Sequence, residues 1–376
     1  MATVVLAPDK FKGSLTAAQV AEHLATGLLR ARPELTAVQV PMADGGEGTV
    51  AAAVAAGWRE RAATVTGPLG ESVQAAYALS PDGASCVVEM ALASGLEFTR
   101  ADVDAARRSS SFGTGELIAH ALDDGARRVI LGVGGSASTD GGAGLVQALG
   151  GRLLAKDGSE LPGGGAALNH LTAVDLTGLD PRLGETEVIL AADVDNLLLG
   201  PSGAAAVYGP QKGADEATVA ELEDGLARWV EALAAERPRA ALAADQPGAG
   251  AAGGLGYAVL ALLGGARRSG IDVVIELTGL ADRLDGAALA ITGEGSLDEQ
   301  SLYGKTPVGV ARAAAAAGVP TVAVAGRSLL SDADLGRHGI AACYPLTALA
   351  PDPATSIREA GRLLEELAAT IVAEHL

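Results

Sequence analysis

Apolar positions follow two rhythms along this chain, short unbroken runs and longer stretches that recur every three to four residues, and the two alternate in strand-then-helix order. At the amino-terminal end the run 4–7 predicts a strand and 16–31 a helix, begun by Ser14 or Thr16 and halted before Pro33. A strand over 38–42 then leads to a helix over 48–56. Near the other end the order is strand 287–292, helix 307–317, strand 321–325, a short helix after Ser331, strand 341–344 and a final helix over 353–375. Pro307 suits a first helical turn, and Gly318 and Pro320 lie beyond the end of that helix. Together these pieces make five strand–helix units, the count of a flavodoxin-like sheet.

The middle has a different rhythm. Runs at 62–66, 73–79 and 86–90 are separated by Gly67-Pro68-Leu69-Gly70 and Pro81-Asp82-Gly83, which is hairpin punctuation and predicts an antiparallel meander. A helix over 115–123, a strand over 128–133, a Gly-rich helix start, a strand over 188–192 and helices over 217–236 and 255–263 follow. The predicted architecture is α/β in two domains. Residues 1–65 and 285–376 form a discontinuous flavodoxin-like domain and 66–284 an inserted mixed-sheet α/β domain, with the active site expected in the cleft between them.

Five of the predicted strands end in acidic or Gly-rich loops, where open α/β sheets place their ligands. They run into Asp9-Lys10-Phe11-Lys12-Gly13-Ser14, Ala43-Asp44-Gly45-Gly46-Glu47-Gly48, Gly134-Gly135-Ser136-Ala137-Ser138-Thr139-Asp140, Asp193-Val194-Asp195-Asn196 and Gly293-Glu294-Gly295-Ser296. The third belongs to a stretch with six glycines between 132 and 144, able to bring backbone N–H groups close to an anion at a helix start. Of the Asp193 and Asp195 carboxylates one is expected to point away from the site, and Asp193 is read as a general base or metal ligand, or as a cap of its turn. Lys305, in Gly304-Lys305-Thr306, lacks the earlier glycine of a P-loop, since Glu299 stands there, and reads as a solvated lysine or a phosphate or substrate contact. Gly132 to Ala137 fits the permissive dinucleotide pattern, but no acidic residue ends a second strand about twenty residues on.

Composition narrows the field. A chain of 376 residues exceeds one ordinary core; with 49% hydrophobic but only 3% aromatic residues and 51 glycines, its cores must be built from Ala, Val and Leu. A net charge of −19 argues against nucleic acid and against an anionic membrane as partners, so an anionic substrate needs a local patch of cations. Two cysteines, Cys86 and Cys343, make no disulfide framework and no zinc spacing, which points to a reducing cytoplasm. Neither a leader segment nor an 18-residue apolar run is expected.

The segments 7–17 (APDKFKGSLTA), 41–49 (PMADGGEGT), 132–144 (GVGGSASTDGGAG), 192–196 (ADVDN), 200–214 (GPSGAAAVYGPQKGA), 250–257 (GAAGGLGY) and 292–311 (TGEGSLDEQSLYGKTPVGVA) together resemble the bacterial type I glycerate kinase family. The resemblance implies an ATP-dependent kinase of D-glycerate, a transferase active in organic acid phosphorylation, with Mg²⁺ as cofactor. Phosphoryl transfer to a hydroxyl needs a base, cations and Mg²⁺, and this chemistry assigns Asp193 as the base near the acceptor hydroxyl, with Lys10 and Lys12 meeting the substrate carboxylate or the transferred phosphoryl group. Gly134, Gly135, Ser136, Ser138, Thr139 and Asp140 would hold ATP phosphates, Asp44 or Glu294 the Mg²⁺, and Asp9, Ser14, Asp44, Glu294, Asp298 and Lys305 the substrate. The 2-phosphoglycerate product is favoured over 3-phosphoglycerate. Two rivals remain open at this stage: a nicotinamide-dependent oxidoreductase using the loop from Gly132 to Ala137, and a binding module without turnover.

Overall fold

A computed structural model describes residues 2–302 and 304–376, so Tyr303 of the last motif lies outside the described residues. The chain divides into two compact units, one made of 1–57 and 269–376 and the other of 58–268. Relative to the boundaries read from the sequence, the joins are shifted for a packing reason. The strand Arg59–Thr66 pairs along its length with Ser72–Leu79 and so goes with the second unit. Helix Gly270–Thr278 buries Ile271 and Val274 in one cluster with Val5, Ala7 and Val310 and so goes with the first.

The first unit is a five-stranded sheet, parallel throughout, in the order Ile340–Pro345, Thr321–Ser328, Leu289–Leu297, Thr3–Pro8, Thr36–Gln39. Numbered along the unit this is 5-4-3-1-2, the flavodoxin-like order, whose switch point falls between Thr3–Pro8 and Leu289–Leu297. Strands buried on both faces need continuous apolar runs, and Val4, Val5, Leu6 and Ala7 are all fully buried. Helix Ala17–Ala31 starts at Thr16, whose hydroxyl accepts from Gln19 N while the Gln19 side chain returns to Thr16 N, and it packs on helix Ala360–His375. The single long helix expected over 353–375 is two, Pro353–Arg358 and Ala360–His375, because the backbone at Glu359 leaves helical values (φ −109°, ψ 19°).

The second unit carries a six-stranded mixed sheet in the order Ala266–Arg268, Glu187–Ala191, Arg128–Gly132, Ser85–Glu89, Ser72–Leu79, Arg59–Thr66. The last three form the expected antiparallel meander, while the first four run parallel. The edge strand Ala266–Arg268 and the small pair Arg152–Leu154 and Ala173–Asp175 were not anticipated, since three residues are too few to show a period. Trp229 and Tyr257, both fully buried and edge-to-face at 6.4 Å between ring centres, anchor the core beneath the Gly-rich loop.

Candidate active site

In the first unit the two strands at the switch point end together: Pro8 pairs with Gly293, and Asp9 N donates to Gly293 O at 2.8 Å. Asp9 is only 8% exposed, with Oδ2 accepting from Thr306 Oγ1 at 2.8 Å and Oδ1 from Lys10 N at 2.6 Å. Burial, and next the carboxylate of Asp44, push its pKa up to about 7, against the opposing pull of Thr306 and Lys10. Glu294 is also raised, first by burial, with Asp44 and Asp298 adding to the effect and Ser301 and Lys305 opposing it. Its Oε1 is buried without a hydrogen-bond partner among the described residues. Asp9, Asp44, Glu294 and Asp298 thus form one electrostatically linked acidic group at the strand ends, with Lys305 acting on it.

Cations border this group. Lys10 Nζ donates to Glu47 O at 2.6 Å and pairs with Glu47 Oε2 at 3.1 Å. Partial burial works to raise Glu47, but Lys10 and then Lys12 outweigh it and hold the carboxyl below its usual range. Lys12 is exposed, and its backbone runs so close to Gly295 that a Cβ there would lie 3.2 Å from Lys12 N. Gly270 makes a similar close approach, 2.0 Å from such a Cβ to Asp44 O, so that only glycine lets this helix start support the Asp44 loop. Ser14, expected to meet substrate, turns elsewhere: its hydroxyl donates to Ile357 O at 2.6 Å and ties its loop to the last helices. Asp298 caps a local turn by accepting from Gln300 N at 2.9 Å. Thr306, the direct partner of Asp9, stands in the sequence only as the last residue of Gly304-Lys305-Thr306 and before Pro307, with no role of its own legible there.

The Asp9 carboxyl gives a pH prediction. An unfolded aspartate titrates near 3.8, below the folded value of about 7, so the folded protein retains a proton that the unfolded chain has released between those limits. The stability conferred by this site is full below about 3.8 and is lost as pH rises through about 7. Asp9→Asn, which removes the buried charge, should melt above wild type at pH 8, and the difference should narrow toward pH 5. Thermal melts at both pH values check this; a difference that does not depend on pH would refute it.

In the second unit Gly132 and Ala191 are paired residues at the ends of adjacent parallel strands, so the Gly-rich loop and the Asp193 turn leave the sheet side by side. The loop splits into two parts. Val133 and Gly134 are half-exposed and Gly135, at φ +65°, is exposed, whereas 136–140 are buried. Asp140, expected at the phosphates, instead faces inward: Oδ2 accepts from Ser111 N (2.8 Å), Ser111 Oγ (2.9 Å) and Gly144 N (3.2 Å), and Oδ1 from Gly142 N (3.1 Å). Gly141 packs on Trp229, whose Nε1 donates to Gly141 O at 3.0 Å. Ser138 Oγ and Thr139 Oγ1 are buried with no hydrogen-bond partner among the described residues.

Beneath the loop lies a residue that sequence reasoning missed. Lys212 is 1% exposed, and its Nζ donates to Ser136 Oγ at 2.9 Å and Ser138 O at 2.5 Å. Burial pulls its pKa down to about 7, with the Asp140 carboxylate opposing. The wall opposite is Ala252, Gly253 and Gly254, three successive left-handed residues, and Gly253 O accepts from Gly141 N at 3.0 Å. At the neighbouring strand end Asp195 is exposed and paired with Arg267, Nη2 to Oδ1 at 2.7 Å, while Asp193 is half-buried. The strand stops at Ala191, so turn geometry and the Arg267 pair decide which carboxylate faces outward.

The family model described as the glycerate kinase family matches residues 4–376. The chain belongs to the glycerate kinase family. It is 46% identical to the glycerate 2-kinase of Escherichia coli (strain K12) over 343 residues, 91% of this chain and 89% of that protein. With the glycerate kinase of Halalkalibacterium halodurans it shares 43% identity over 372 residues, 99% of this chain and 97% of that one. A Salmonella typhimurium LT2 crystal structure assigned as glycerate kinase 2 superposes with a TM-score of 0.84 at 41% identity, covering 99% of this chain and 98% of that chain.

Glycerate kinase activity is phosphoryl transfer to an alcohol, and the nicotinamide reading falls away with a structural reason. Residues 132–137 do not open a helix: Ser136 bridges to Gly95, and the next helix begins only at Ala143. The family implies a nucleotide and its cation as cofactors. The orphaned hydroxyls of Ser138 and Thr139 and the bare backbone at Gly134 and Gly135 fit a phosphate chain. No group of three or more His, Cys, Asp or Glu poised to hold a metal occurs among the described residues. A Mg²⁺ ion in such enzymes takes only one or two protein carboxylates, and within the first unit Glu294 with its orphaned oxygen, under the influence of Asp44, fits that smaller demand.

Proposed function

We propose that the protein transfers the γ-phosphoryl group of ATP to the 2-hydroxyl of D-glycerate, giving 2-phosphoglycerate and ADP. The observation that carries this reading is the paired exit of the Gly-rich loop and the Asp193 turn from adjacent strand ends, a phosphate cradle beside a carboxylate. The 2-position is supported by the glycerate 2-kinase name of the Escherichia coli relative. Asp193 accepts the proton of the attacking hydroxyl, and the amides of 133–136 hold the ATP phosphates. Lys10 and Lys12 attract the glycerate carboxylate, Lys305 the transferred group, and Asp9 with Thr306 fixes the first strand end. Mg²⁺, held by Asp44 and Glu294, would neutralise phosphate charge when bound. We place the reaction in the cytoplasm, in keeping with two free cysteines; no helix among the described residues is long and apolar enough to cross a membrane. A coupled assay with ATP, Mg²⁺ and D-glycerate tests the reading: ADP release that requires glycerate supports it, and its absence defeats it.

Lys10→Ala and Lys12→Ala give a sharper check. Each removes a cation beside the acidic group of a strongly negative protein, so KM for glycerate should rise about tenfold in either variant, and more salt should raise the wild-type KM. Wild-type kinetics in both would leave the loop merely solvated and move the role to Lys305.

A further inference from the structure

We propose that Lys212 is a positioning residue of the nucleotide site: sealed beneath the Gly-rich loop, its ammonium holds the loop at Ser136 and Ser138 in the shape that presents the amides of 133–136 to phosphate and supplies the positive charge the loop lacks. This rests on the reading of that loop as the phosphate site. Between 132 and 144 the chain has no Lys or Arg and one acid, Asp140, so nothing in the loop itself attracts an anion. Lysines are almost never fully buried without an ion-pair partner. Lys212 is so buried, yet no carboxylate lies within ion-pair distance of its Nζ among the described residues, because Asp140 is spent on four N–H and O–H donors.

The surroundings are shaped for the ammonium. A Cβ at Gly253 would stand 2.9 Å from Lys212 Nζ and 2.0 Å from Ser138 O, so the glycine there leaves room for both. Gly253 lies in the left-handed run with Ala252, whose φ of +53° is the sole positive value outside glycine among the described residues. Strain of this kind is typically kept where function needs it. Both hydrogen bonds of the ammonium go to the loop, one to a side chain and one to the backbone, so it fixes loop shape as well as charge. A neutral donor could make the same bonds without the cost of burying a cation, and this separates a charge role from a strut.

The test is calorimetric titration of the full chain with Mg²⁺ and a non-hydrolysable ATP analogue, using wild type, Lys212→Met, Lys212→Gln and Gly135→Val, beside KM for glycerate. Lys212→Met should bind the analogue about tenfold to a hundredfold more weakly, the range of one charge-assisted hydrogen bond, with the glycerate KM little changed. Lys212→Gln, which keeps two donor hydrogens but no charge, should be nearly as weak. Full rescue by Gln, unchanged affinity in the Met variant, or failure of both variants to fold would make Lys212 a plain strut and overturn the proposal. If Gly135→Val also binds the analogue normally, the loop is not the phosphate site and that underlying reading fails too. If Gly135→Val alone loses binding, only the Lys212 role is wrong.

Discussion

Asp193→Asn should turn over at least about 100-fold more slowly than wild type, the effect of removing a general base, while its ATP affinity stays within about twofold. Asn keeps the size of the side chain and cannot take a proton. The choice of Asp193 over its neighbour rests on burial: Asp193 is half-buried at the strand end, whereas Asp195 is exposed with Arg267 Nη2 at 2.7 Å, and Arg267 Nε also donates to Ala192 O at 3.1 Å. That clamp fixes the turn and leaves Asp193 as the half-buried carboxylate beside the Gly132 strand end. The measurement is steady-state kinetics with a folded variant. Near-normal kcat would remove Asp193 from the chemistry.

Gly135→Val should abolish measurable ATP binding and leave the fold intact. Gly135 sits at φ +65° on the exposed part of the loop, a backbone conformation that a β-branched residue resists. Loop amides would rotate away from the phosphates, whereas the buried half of the loop, held by Asp140 and Trp229, would stay. Titration with an ATP analogue checks this against a far-UV spectrum of the same sample. Unchanged affinity would move the nucleotide to another loop.

The parallel sheet was legible in the sequence because its three central strands are largely buried on both faces and its helices carry their own stop and start signals. Thr16 with Gln19 and Ser331 with Asp334 are capping boxes written in local sequence, and both helices begin there. The acidic strand ends were legible for the same reason, since a carboxylate directly after an apolar run has few packing uses. What stayed hidden is long-range. Asp9 and Thr306 are 297 residues apart, Lys212 and Ser136 are 76 apart, and no periodicity connects either pair. Asp140 looked like a ligand because local sequence cannot show that Ser111 donates to it from another helix start. Ser14 misled similarly, its partner being a carbonyl 343 residues away.

The most direct test of the account is phosphorus NMR of the product formed from D-glycerate, ATP and Mg²⁺ by the purified protein. The account predicts one new phosphoester, coupled to the proton on C2, with ADP in equal amount. A phosphoester coupled to the C3 methylene protons, or no phosphoester at all, would contradict it.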